Sequence, residues 1–349
     1  MPTSRFSFAV VGLGLGAEHA RRILSRPLEW ELAAVCEPLG DRRAAFTRAH
    51  PEVRAFASLD ALLEASTPDG VVLAVPHHLH APMAVQALRA GAHVLVEKPM
   101  ARTTEECLRM NEAARQTGRT LMVAQNWRYT PWVRVAKAIL DRGDLGAIRV
   151  VRTEWLQNIT ADTSRPGNWL LDGERAGGGP VISLVVHNLD ALRYLLGEPV
   201  EVHAFCLHDE ALFRNGAESW GIAQFRFQNG AVGQMMSSYA ACPALDEGGR
   251  LSIHGERGTL SANGGLPAAN LLRVYTAATG AWETPRLDSV PGLPTSDPML
   301  NEISHFVDCA RSGAPSLSGG EDNIRTIRFV QTIYESSRRG VALPITAGP

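Results

Sequence analysis

The sequence predicts an α/β protein: an N-terminal doubly wound parallel sheet, then a second α/β domain built on a large, open, mostly antiparallel sheet. Three observations lead there. From Arg5 to about Ala124, short apolar runs alternate with helical periods, as in parallel strands buried on both faces. A glycine-rich turn joins the first of these runs to the first helix. After about Asn126 the runs lengthen and alternate apolar with polar residues, the period of strands that turn one face to a core.

The run from Phe6 to Gly12 is a strand; the chain turns at Gly12-Leu13-Gly14-Leu15-Gly16 and continues helically through Arg21 and Leu24. Further strands are expected at 31–37, 71–75 and 92–97. Thr103 and Glu106 form a capping box, and Gly118 closes the helix it opens. In the second part a helix over 133–141 ends near Gly143. Alternating segments at 147–157, 200–208, 218–228 and 231–239 follow, the last two joined by an Asn229-Gly230 hairpin turn. Helices near 299–311 and 321–338 finish the chain.

At 349 residues two domains are expected, 1–124 and 125–349, with the terminal helices able to pack back on the first. A composition of 45% apolar and 20% charged residues is globular, and a net charge of −2 offers no broad basic field to nucleic acid or an anionic membrane. No apolar run is long enough to span a bilayer, and the N-terminus lacks the pattern of a secretory signal. The five cysteines are scattered without a CxxC, so neither a disulfide framework nor a thiolate zinc site is expected, and a cytoplasmic setting is. Of 34 basic residues only Lys98 and Lys137 are lysine. Arginine replaces lysine on a solvated surface at little cost, but not where a proton must be released near neutral pH.

Gly12-x-Gly14-x-x-Ala17 follows a strand and opens a helix, the setting of a dinucleotide turn. Gly12 permits the tight turn, Gly14 lets the backbone approach a pyrophosphate, and Ala17 allows close helix–strand packing, with helix amides as donors. Glu37 ends the second strand, where a carboxylate accepts both ribose hydroxyls of NAD and repels a 2′-phosphate. Arg42 and Arg43 soften that preference, so NADP stays open. A methyltransferase also uses such a turn, but normally with an acidic residue just before the glycines, where this chain has Val10-Val11.

Lys98, in Glu97-Lys98-Pro99, leaves the strand at 92–97 on the side where a parallel sheet binds ligands. Gly177-Gly178-Gly179-Pro180 leads into a segment expected to be one helix. Ser183, His187, Asp190 and Tyr194 then share a face as a polar stripe, with Ile182, Val185, Val186, Leu189, Leu192 and Leu196 covering the rest. His77, His78 and His80 have no Cys or acidic partner at ligand spacing, so no metal is expected.

Together GLGLGA, HAPMAVQALRAGAHVLVEKPM, NWRYTP, AGGG…H…D and NEISHFVDCARSG…TIYESSRRG resemble the glucose–fructose oxidoreductase / inositol dehydrogenase / MocA-like family over almost the whole chain. The resemblance implies a Rossmann domain, a C-terminal α/β domain whose open sheet builds homodimers or homotetramers, and NAD(P)-dependent oxidation or reduction of sugar-like alcohols. By position it implies Lys98 and His187 as catalytic residues. It places Gly12, Leu13, Gly14, Leu15, Gly16, Glu37, Val75, Pro76, His80, Glu97, Lys98, Asn126 and Trp169 at the cofactor. It places Lys98, Arg128, Tyr129, Trp155, Gln157, Ser183, His187 and Asp190 at a polyol substrate. Two positions depart from the family's pattern. Ser183 stands where many members carry aspartate, and Trp169-Leu170 where many carry Trp-Arg. Those departures are the support for a cofactor-binding sensor or scaffold as the competing expectation. The expected enzyme passes hydride between nicotinamide and a carbon bearing a secondary hydroxyl, with His187 as general base and Lys98 on the reacting oxygen.

Overall fold

The computed structural model describes residues 5–159, 168–242, 249–264, 271–287, 290 and 292–346. The chain divides into two compact units, one of residues 1–126 and 297–324, the other of 127–296 and 325–349. The first unit opens with β1 (Phe6–Val11), α1 (Gly16–Leu24), β2 (Trp30–Cys36), α2 (Gly40–Ala49), β3 (Arg54–Phe56) and α3 (Leu59–Ala65). It continues with β4 (Gly70–Leu73), α4 (His80–Arg89), β5 (His93–Glu97), α5 (Thr104–Thr117) and β6 (Leu121–Ala124). These strands form one sheet in the order β3-β2-β1-β4-β5-β6, every neighbour parallel. Burial on both faces explains their unbroken apolar runs: Val71, Val72, Leu73, Val94, Leu95 and Val96 expose no surface. Thr103 caps α5 by accepting the Glu106 amide at 3.2 Å, and Gly118 ends it at φ 64°. Strand β3 was not foreseen; three residues at a sheet edge carry no periodic signal.

The second unit contributes α6 (Pro131–Asp141), β7 (Ile148–Leu156), α7 (Gly173–Ala176), α8 (Pro180–Ser183) and α9 (Val186–Leu196). Then come β8 (Pro199–Leu207), β9 (Trp220–Phe227), β10 (Val232–Ser238), β11 (Gly249–Gly255), β12 (Gly258–Gly264), β13 (Leu271–Thr276) and β14 (Trp282–Glu283). After α10 (Pro298–Ser312) and α11 (Gly320–Arg339), β15 (Leu343–Pro344) adds the last edge. The nine-stranded sheet runs β14-β13-β12-β11-β7-β10-β9-β8-β15, and only β7 and β10 pair in parallel. Its inner face meets α6, α9 and the later turns of α11, where Phe225 packs edge-on against Phe227 and Phe329 at 5.6 and 5.2 Å. Sequence patterning anticipated β7 to β10 but not β11 to β14, whose stretches Gly249–Gly255 and Gly258–Gly264 are rich in glycine, serine and threonine.

The expected single helix through Ser183 and His187 is corrected. Helix α8 stops at Ser183, Leu184 departs from helical geometry at φ −115°, ψ −69°, and α9 starts afresh at Val186. The amides of both Leu184 and Val185 bond the Pro180 carbonyl at 2.9 Å, which inserts an extra residue and breaks the i to i+4 relation.

Candidate active site

In the first unit the carboxyl ends of β1, β2, β4 and β5 bring most of the expected cofactor residues to one edge. Gly12 adopts φ 85°, and a Cβ there would overlap the Ala74 carbonyl oxygen, so only glycine makes the turn. Nothing lies within 4 Å of where a Gly14 side chain would stand. The close approach assigned to Ala17 belongs to Gly16, whose added Cβ would come within 2.9 Å of Val10 and 3.2 Å of Ala74; Ala17 is exposed. Leu13 is buried and Leu15 is exposed.

Glu37 reaches back to this turn. Its Oε2 accepts the Leu13 amide at 2.8 Å, its Oε1 accepts the Leu39 amide at 3.0 Å, and Arg42 stands 3.4 Å away. A dinucleotide fits this edge: space is open at Gly14, α1 begins two residues on, and a carboxylate sits at the end of the second strand.

At the end of β5, Glu97 is buried beneath partly exposed Lys98. Its Oε1 accepts from His19 Nε2 at 2.8 Å and its Oε2 from the Lys98 amide at 3.1 Å. Burial pushes the Glu97 carboxyl up, but the His19 bond and the Lys98 charge outweigh it and hold the group below the usual carboxylate range. Burial likewise draws the Lys98 ammonium below the ordinary lysine range, with Glu97 opposing. The ring of His80, a residue expected beside the cofactor, braces the backbone here. It exposes no surface, and its ring nitrogens face the carbonyl oxygens of Pro99 at 2.8 Å and Val75 at 2.9 Å. It thus ties the Lys98-Pro99 turn to the exit of β4, while Val75 and Pro76 stay partly exposed. Asn126, just after β6, is also partly exposed.

In the second unit the ring of His187 lies nearly parallel to Trp127, at 5.9 Å and 13°, and tilts by 32° to Trp155 at 6.0 Å. Trp155 in turn stacks on Trp127 at 5.6 Å. The separations make an offset stack, the arrangement ring quadrupoles favour. Trp127 is the buried member; Trp155 keeps part of its surface open while its Nε1 is buried. Gln157 and Trp169 are partly exposed.

Four residues expected at the substrate lie buried in the second unit. Arg128 and Asp190 face each other in a two-pronged ion pair, both bonds 2.7 Å, with side chains 3% and 0% exposed. Asp190 also accepts the Thr326 hydroxyl at 2.9 Å. A carboxylate this deep needs such partners, and the polar stripe on α9 is largely this internal network. Tyr129 is buried at 2% exposure. Ser183 is buried.

Sequence reasoning missed His19, Trp127 and Glu218. Trp127 lay within the NWRYTP stretch and was passed over as a neighbour of Arg128. Glu218 carries no local signal, because the amides it serves lie 39 and 37 residues away.

A family model described as the oxidoreductase family, NAD-binding Rossmann fold, matches residues 6–125, and one described as the GFO/IDH/MocA C-terminal domain matches residues 133–261. Levoglucosan dehydrogenase of Pseudarthrobacter phenanthrenivorans is 32% identical over 253 residues, spanning 63% of this chain and 65% of that enzyme. The 1,5-anhydro-D-fructose reductase of Ensifer adhaerens is 29% identical over 322 residues, 91% of this chain and 92% of that one. Among solved structures, a levoglucosan dehydrogenase in complex with NADH and levoglucosan shares the fold at TM-score 0.87 and 24% identity, covering 98% of this chain and all of that one.

Proposed function

The chain belongs to the GFO/IDH/MocA family of oxidoreductases, and on that premise we propose an NAD-dependent dehydrogenase or reductase acting on one secondary hydroxyl, or the matching ketone, of a sugar, cyclitol or sugar derivative. The observation that carries this reading is the first unit's strand-end cluster, where the Gly12–Gly16 turn, Glu37 and Lys98 sit at the carboxyl ends of β1, β2 and β5. When bound there, the nicotinamide supplies or accepts the hydride. Glu37 orients the ribose and disfavours a 2′-phosphate. Lys98 hydrogen-bonds the reacting oxygen and stabilises its developing negative charge. His187 takes the hydroxyl proton in oxidation and returns it in reduction. Trp155 and Gln157 are assigned to the substrate, and Val75, Pro76, Asn126 and Trp169 to the cofactor.

We further place the protein in the cytoplasm as a homodimer or homotetramer through the nine-stranded sheet. The absence of disulfides among the described residues suits a reducing compartment. Among the described residues, no helix is long and apolar enough to cross a membrane. The outer face of the sheet pairs exposed Phe205 with Ile222 and Val150 with Val232 across neighbouring strands, with Leu207 alongside.

The test is NADH fluorescence titration, followed by turnover on a panel of sugars and cyclitols. Binding together with turnover of at least one neutral sugar or cyclitol is expected. Binding with no turnover across the panel would overturn the enzyme reading in favour of a sensor.

A further inference from the structure

Glu218 precedes β9 and exposes no surface. Its Oε2 accepts the Gly179 amide at 2.5 Å, and its Oε1 accepts the Val181 amide at 2.8 Å and the Tyr334 hydroxyl at 3.0 Å. The Tyr334 oxygen in turn accepts the Ile182 amide at 3.2 Å. Since Pro180 has no N–H, every backbone donor at the start of α8 is taken by two side chains brought from elsewhere in the fold. The glycines make the approach possible: a Cβ at Gly178 would overlap the Tyr334 hydroxyl, and one at Gly179 the Glu218 carbonyl oxygen. The run Gly177-Gly178-Gly179 is therefore a seat for a buried carboxylate and phenol.

We propose that Glu218, with Tyr334, is a positioning residue for His187. His187 is the second residue of α9, and no regular helix transmits orientation to it from α8, because the chain breaks at Leu184 and Val185. What holds the break is a single acceptor. The Pro180 carbonyl takes the Leu184 and Val185 amides at 2.9 Å each and the Ser237 hydroxyl at 3.2 Å. Pro180 lies between the two residues that Glu218 grips. The path from carboxylate to imidazole thus runs through Gly179 and Val181, the Pro180 carbonyl and the broken turn, and ends with the ring against Trp127 and Trp155. A shift of about 1 Å at a reacting group costs about a hundredfold in rate.

The consequence for turnover rests on His187 being the base; the positioning itself does not. Glu218→Gln keeps the shape but offers only one acceptor oxygen to two amides. In the full-length protein with NADH added, the His187 ring signals, identified by their loss in His187→Ala, are expected to shift or broaden in Glu218→Gln. Ser336→Ala removes another buried hydroxyl of the same unit, one that bonds Ala204 and Val341, and should lower Tm without moving those signals. With levoglucosan and myo-inositol as substrate probes, kcat per bound NADH should fall roughly tenfold to a hundredfold in Glu218→Gln. Tyr334→Phe should fall less, and NADH affinity should be unchanged in both. His187 signals superimposable on wild type in a folded Glu218→Gln overturn the inference and leave the dehydrogenase reading standing. If Glu218→Gln does not fold, unmoved His187 signals in Tyr334→Phe do the same. Signals that move while His187→Ala retains full turnover overturn the base assignment, and the predicted loss of rate with it.

Discussion

Two glycine-rich turns in this molecule are closed by the same device and used in opposite ways. Glu37 accepts the Leu13 amide within the first turn, and Glu218 accepts the Gly179 amide within the second. At the first, nothing stands within 4 Å of a side chain added at Gly14, and Gly14 itself is exposed. At the second, Gly178 and Gly179 are buried and pressed against Tyr334 and Glu218. Glycine absent a side chain leaves room; whether that room goes to a ligand or to the protein's own core depends on what the fold brings to it.

Alanine at each turn should expose the contrast most strongly. Gly179→Ala forces a methyl into the Glu218 carbonyl and should cost about 4 kcal/mol or more, enough to abolish folding of a marginal domain. Gly14→Ala should stay within about 0.5 kcal/mol of wild type in denaturant unfolding, as an exposed substitution does, while losing NADH affinity. A stable Gly179→Ala, or a Gly14→Ala that binds NADH normally, would erase the distinction.

Lys98→Met, at the open edge, should lower kcat by about a hundred- to a thousandfold with NADH affinity nearly unchanged. Lys98→Arg should not restore it, because a guanidinium is planar, bulkier and effectively never deprotonated. The ammonium form is the active one and its pKa is lowered by burial, so kcat should fall with rising pH at a lower pH than an ordinary lysine would give. Stopped-flow pH profiles of the wild type check this; activity flat to the ordinary lysine range would contradict the assignment.

Glu37→Ser should narrow the preference for NAD over NADP by about tenfold, since it removes both the ribose acceptor and the repulsion of a 2′-phosphate. Equal affinities already in the wild type, measured by titration with both reduced cofactors, would withdraw Glu37 from that role.

The smallest effect concerns Glu218 and stability. Burial pushes its carboxyl above the ordinary range against the pull of its hydrogen-bond donors. A carboxyl raised in the folded state contributes fully below its unfolded pKa. Its contribution fades as pH rises from there towards the folded value, because the unfolded chain ionises first. The Tm advantage of wild type over Glu218→Gln should therefore shrink as pH is raised from about 4 to 8. A difference independent of pH would mean that the carboxylate is as comfortable inside as in water.

What the sequence determined by itself is mostly what neighbours along the chain decide. The parallel sheet, the turn at Gly12, the cap at Thr103 and the strand-end placement of Glu37 and Lys98 follow from strand period, glycine geometry and the βαβ connection, all local or nearly so. The second unit was legible as alternating strands and terminal helices, but not in its far half, where glycine and serine in β11 and β12 blur the period. Around His187 the tertiary structure decided almost everything. A polar stripe reads the same whether it faces a substrate or an internal partner, and Asp190 became internal only because Arg128, 62 residues away, was folded against it. The break at Leu184 and Val185 has no proline or glycine of its own to announce it. Its hydrogen bonds converge on one carbonyl, and the carboxylate that steadies the turn arrives from 39 residues along the chain. Buried polar groups must find partners, and which ones they find is settled by the path of the whole chain rather than by spacing within any segment of it.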